Sequence, residues 1–211
     1  MIRPRTGDFI YSEDELEVML EDIRVFKEYG VRGMVIGILT VDARVDVDRM
    51  KKLVNEIMPL EVCFHRAFDM TRDPKEALQD VASIGGITRI LTSGHQPYAV
   101  SALSIFQALF VREAELVEND TRQQDLVIMP GSGINTNTIT SVVEALLPFG
   151  LREVHLSGGA WVDSKMLFRR EGMGMGVCGE GEWGVWHTLE SKVREVRNKA
   201  DTICEEINSR K

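Results

Sequence analysis

A chain of 211 residues with 44% hydrophobic content can bury one sizeable core, which argues for a single domain over residues 1–211. Its 33 acidic against 25 basic residues leave a formal net charge of -8, which excludes the basic face that a nucleic acid or an anionic membrane requires and leaves small molecules, metals or other proteins as partners. No apolar run nears the roughly 20 residues of a membrane span, and the first residues do not read as a leader peptide. Cys63, Cys178 and Cys204 are too far apart for a disulfide framework or a CxxC site, which fits a reducing, cytosolic compartment.

In chain order, "SEDELEVMLEDIRVFKEYG" places Ser12 and Glu15 at capping-box spacing and lines up Leu16, Met19, Leu20, Ile23 and Phe26 on one helical stripe that Gly30 ends. The apolar run "GMVIGIL" is strand-like, and "VDRMKKLVNEI" after Asp46 is helical. The same alternation then repeats. "LEVCF" precedes a helix that Asp73 caps and Pro74 opens, running to Ile84. "ITRIL" precedes a helix over about 99–117, "DLVIM" one over about 137–147, and "REVHL" precedes a glycine-rich stretch and a charged helix from about Thr188. "ENDTRQQD" is a polar loop.

Strands apolar on both faces, each followed by a helix, predict a parallel sheet covered by helices, and the regular repetition favours a closed barrel. Five full strands are legible, and "MIRPR" reads as the end of a sixth. The fold class expected is α/β, a TIM-type (β/α)8 barrel that is incomplete, with about six of eight strand–helix units, the first two lacking.

In such barrels reacting groups lie on the loops after the strands. Gly131, Ser132 and Gly133 follow one strand, and Ser157, Gly158 and Gly159 the next, a pattern suited either to an anion held on backbone N–H groups or to tight turns alone. "CFHRAFD" brings His65, Arg66 and Asp69 to one strand end. His65 and Arg66 point to opposite faces of a regular strand, whereas Cys63 and His65 share one, about 7 Å apart. Arg66 and Asp69 are expected to pair, and His65 is the candidate ligand or acid–base group, with Asp69 as a second catalytic candidate. His155 is read as either a mouth residue or a buried one bonded to a carbonyl, His95 as solvent-facing, and His187 carries no role. Met173, Met175 and Cys178 supply soft sulfur of the kind copper(I) prefers. A nucleophile elbow, a P-loop and a Schiff-base lysine are all missing.

Taken in order, "IRPRTGDFIYS", "HRAFD", "RILTSG", "PGSGI" and "EVHLSGGAW" resemble the CutC copper homeostasis protein family, from Met1 to about Met175. The resemblance implies a TIM-type barrel, a cytoplasmic protein that in animal members is also nuclear, copper binding and self-association into a homo-oligomer. It implies no reaction. Family members begin with two further strand–helix units, whose strand ends carry glutamates and the cysteines that bind copper(I). Cys63 stands where the family does not usually have cysteine, and "ENDTRQQD" looks like a lengthened loop. An open barrel is expected to associate or to be poorly soluble. Two readings follow. One is a cytoplasmic copper-binding protein of copper homeostasis. The other is a barrel enzyme acting on a small phosphorylated or carboxylated molecule, with Arg3, Arg5, Gly131, Gly133, Ser157 and Gly158 holding the anion and His65 as acid or base.

Overall fold

The computed structural model describes residues 1–118, 126–176 and 181–209. Helix α1 (Glu13–Glu28) begins with the expected reciprocal cap: the Glu15 N–H donates to the Ser12 hydroxyl and the Ser12 N–H to the Glu15 carboxylate. Leu16, Met19 and Ile23 are buried along its inner stripe. Phe26, at the end of that stripe, is exposed instead.

Four short strands, β1 (Gly33–Ile36), β2 (Glu61–Phe64), β3 (Ile87–Thr92) and β4 (Val127–Pro130), form one parallel sheet in the order of the sequence. Between them run α2 (Val47–Ile57), capped by Asp46, and α3 (Pro74–Ile84), capped by Asp73 with its proline in the first turn. A 3-10 turn (Ala99–Ala102) leads into α4 (Leu103–Glu118), and α5 (Ile139–Leu146) follows β4. Helices α2, α3 and α4 pack on β2, β3 and β4 respectively, and each helix from α1 to α5 packs on the next. The result is an α/β fold with its helices stacked in sequence order, as the alternating pattern predicts. Phe64, Phe68, Phe106, Met50, Leu53 and Leu78 are fully buried between the layers, each worth about 1.5–3 kcal/mol in area removed from water.

Two of the expected strands are corrected. "REVHL" runs beside β4 but is tied to it by one backbone bond, from His155 N–H to the Pro130 carbonyl at 2.9 Å. "MIRPR" likewise meets β1 only through Ile2 N–H and the Val35 carbonyl, 2.9 Å apart. One backbone bond apiece does not make a ladder, so neither segment is a strand. Residues 152–156 are held to the sheet by Glu153, which accepts from Arg89 on β3 at 2.8 Å, and by Val154 and Leu156, which pack against the core.

The glycine-rich stretch is not wholly irregular. Residues Gly159–Asp163 (β5) and Gly184–Thr188 (β6) form an antiparallel pair in which Trp161 and Trp186 meet edge to face at 5.3 Å. Helix α6 (Glu190–Ser209) then returns along α5, burying Val196 and Ile203. Among the described residues there are thus six α-helices, none long and apolar enough to cross a membrane. Residues 119–125, most of the polar loop, and Cys178 lie outside the described residues.

Candidate functional site

The loops after β2, β3 and β4 meet at one end of the sheet. Immediately after β2, His65 caps a 3-10 turn (Arg66–Met70), its Nδ1 accepting from Ala67 N–H at 3.1 Å. From that turn Asp69 reaches across to the end of β3. Its carboxylate accepts from the Thr92 hydroxyl, from Ser93 N–H at 2.9 Å, from His95 N–H at 3.2 Å and from Arg66 Nε at 2.8 Å. Burial pushes the Asp69 pKa up, but the bonds from Thr92, Arg66, Ser93 and His95 outweigh it and hold the group below the usual carboxylate value. Asp69 is therefore an ionised clamp between two loops, with its lone pairs taken up, and the expected Arg66 pair is present. Arg66 also donates to Ser93 Oγ at 2.8 Å.

His65 is 3% exposed. Its ring lies 4.9 Å from that of Phe9 and against Gly37, where a Cβ would come within 2.6 Å of the imidazole. Burial lowers its pKa to about 4, and the nearby Arg3 charge acts in the same direction. The ring is thus neutral at physiological pH, and Nδ1 is already engaged. It lacks the near-neutral pKa of a general acid or base.

The two glycine stretches do come together. A cavity of about 620 Å³ lies between 132–137 and 155–159, closed on one side by Trp186 and Lys192 and on another by Arg66. Gly131 N–H is spent on the Thr92 carbonyl at 2.8 Å, and a side chain there would strike Leu91. Ser132 and Gly133 both adopt left-handed φ, +76° and +74°, and the Gly133 carbonyl accepts from Asn135 and Thr138, so this loop is rigidly held. His155 is exposed and lines the cavity, which settles its two readings in favour of the mouth. His95 is half-buried rather than solvent-facing, 3.2 Å from the Thr71 hydroxyl and edge-on to Phe68.

The two arginines do not join the glycines. Arg5 is occupied by Glu15 at 2.6 Å, Asp8 at 2.9 Å and the Ile10 carbonyl, and so ties the loop over 5–11 to the start of α1. Arg3 stacks on Phe9, its Cζ 4.6 Å from the ring centre, and donates to the Gly7 carbonyl. Sequence reasoning missed Arg66 and Lys192 as the cations of the cavity, and Tyr11 as a buried polar group beside Arg3. The alternation of strand faces turned attention from Arg66, but a 3-10 turn and not a strand carries it.

Met173 and Met175 are 58% and 95% exposed, and no three His, Cys, Asp or Glu side chains among the described residues converge as metal ligands. Cys63 has its thiol pushed up to about 11 by burial, which disfavours the thiolate a metal needs.

Comparison with known proteins locates this architecture. The sequence model of the CutC family matches residues 1–160. CutC family proteins of Salmonella paratyphi B and Salmonella typhi are 42% identical over 175 residues, 83% of this chain. The chain spans 64% and 62% of their respective lengths. The crystal structure of CutC from Streptococcus agalactiae superposes with a TM-score of 0.62 at 28% identity, covering 73% of this chain and 69% of that one. Matched over most of its length in sequence, and superposed on a solved CutC structure at a TM-score of 0.62, the chain belongs to the CutC family.

Proposed function

We propose that this chain serves copper homeostasis as a cytoplasmic protein built on a (β/α) barrel. The observation that carries the reading is the family match over residues 1–160, together with the copper homeostasis name borne by the structurally similar Streptococcus protein. Barrel architecture is supported by the sequential parallel order of β1 to β4 and by the two flanking segments, each of which continues that order by one backbone bond. Crossovers of one hand place successive helices on one side of such a sheet, which is the geometry that curls it towards closure. Copper(I) is the cargo in this reading. With Cys63 protonated and buried, binding by this chain falls to Met173, Met175 and Cys178, the soft donors of the segment after β5. Titration of copper(I) against a competing chelator tests it: we expect tight binding that is lost when these three residues are replaced together. Unchanged binding in the triple variant excludes them, and no binding by the unaltered chain overturns the copper reading.

A second reading is favoured by the cavity, which brings Arg66, Lys192, His155 and both glycine loops around one volume. A small phosphorylated or carboxylated molecule suits that lining, in which Lys192 and Arg66, the latter also paired with Asp69, stand beside the glycine loops. Inorganic phosphate added to the labelled protein then shifts the amide signals of Gly133 and Gly158; amides that stay in place sink this reading.

A further inference from the structure

Among the described residues three buried polar atoms have no hydrogen-bond partner: Arg3 Nε, Tyr11 Oη and His65 Nε2. Such orphans are rare because each forfeits the free energy of its lost bonds to water. Arg3 and Tyr11 come from the segment before α1 and His65 from the end of β2; Arg3 and His65 flank Phe9, and Tyr11 lies within reach of Arg3. The Arg3 guanidinium lies 4.6 Å from the Phe9 ring centre and the His65 ring 4.9 Å from it. The Arg3 guanidinium acts on both His65 and Tyr11 and lies near enough to the Tyr11 hydroxyl to pull its pKa down against burial, although no contact between them reaches hydrogen-bond geometry.

Their chemistry has one sign. Arg3 Nε can only donate. His65 Nδ1 accepts from Ala67 N–H, so the proton of the neutral ring sits on Nε2, which donates too; the lowered pKa of His65 agrees with a neutral ring. Tyr11 can donate its hydroxyl proton, and burial, which raises its pKa, keeps that proton in place. Arg3 has no carboxylate in reach among the described residues, unlike Arg5, which has two. We propose that Arg3, Tyr11 and His65 form a buried site for a single oxyanion group, a carboxylate or phosphate, bound beside the Phe9 ring by three converging donors. The site shares no lining residue with the cavity at 132–137 and 155–159, and it rests on neither reading of function above. In it, His65 is a hydrogen-bond donor rather than an acid or base, while Gly37 gives the ring room to sit.

The oxyanion can belong to a free small molecule or to a carboxylate side chain of a second copy. Histidine-labelled 15N spectra of the full chain distinguish the two. Added inorganic phosphate or acetate should shift the His65 Nε2 signal saturably, with Tyr11→Phe, which keeps the ring and removes only the hydroxyl, weakening the effect about tenfold or more. Arg3→Lys, which keeps the charge and removes Nε–H, should weaken it too. A His65 signal that moves with protein concentration in the absence of added anion assigns the group to a second copy. The proposal is overturned if the signal stays fixed in both titrations while the protein remains folded, or if it moves equally in both variants. Because phosphate at the glycine loops is read at Gly133 and Gly158, failure of one site is not confused with failure of the other.

Discussion

Burial takes His65 from the usual imidazole value of 6.5 down to about 4, and that difference is a statement about stability. Between those two values the unfolded chain binds a proton that the folded chain does not, so stability is full above pH 6.5 and falls as the pH drops towards 4. The full shift corresponds to about 3 kcal/mol. Asp69, whose pKa is also lowered, works in the same direction but over a separate window, below the usual 3.8. Denaturant unfolding at a series of pH values should therefore show a loss between pH 6.5 and 4 that His65→Gln abolishes and that leaves the more acidic limb in place. Constant stability of the unaltered protein from pH 7 to 4.5 would refute the assignment. "CFHRAFD" made the cluster visible in the sequence, including the Arg66–Asp69 pair. What it could not reveal is that Asp69 would be saturated by backbone N–H groups of residues 93 and 95, because those donors are set by the turn after β3 and not by local spacing.

At the level of elements, the helices were legible nearly to the residue where caps and apolar stripes agree, as at Ser12 and Asp73. The strand at "REVHL" was not, because apolar alternation records which face is covered and says nothing of whether a neighbour is present to pair with. The β5–β6 hairpin escaped notice since 20 residues separate its strands, far beyond the short turns that sequence can announce. Helix α6, which packs on α5, is the lightly anchored element: among its described side chains Val196 and Ile203 are the buried ones, whereas β2 and β3 have neighbours on both sides. Elements with few buried apolar contacts open below the global unfolding free energy. Amide exchange should accordingly show α6 opening at lower cost than β2 and β3, and Ile203→Ala should widen the gap by about 2 kcal/mol, the low end for such truncations because the site is close to solvent. Protection of α6 equal to that of β3 would contradict this.

For the whole molecule, the composition argued for one domain and the repeated strand–helix pattern for parallel pairing, and the four-stranded sheet agrees with the pattern. Its two margins were not legible, as they depend on what lies beyond β1 and β4. Each is covered by an extended segment that makes one backbone bond inward, and the outward side of that segment meets no strand among the described residues. Parallel strands are normally enclosed on all sides, and open edges recruit further strands. Opposing this, a net charge of -8 makes copies repel one another over distances that salt shortens, with a screening length of about 10 Å at 0.1 M. The two effects together predict self-association that depends on concentration and strengthens as ionic strength rises, the reverse of what an assembly held by ion pairs would do. Sedimentation velocity at low and high salt measures both dependences at once. A monomer at every concentration and salt level would mean that the margins are closed by the chain's own segments, and dissociation on adding salt would mean that charge, not strand pairing, holds the copies together.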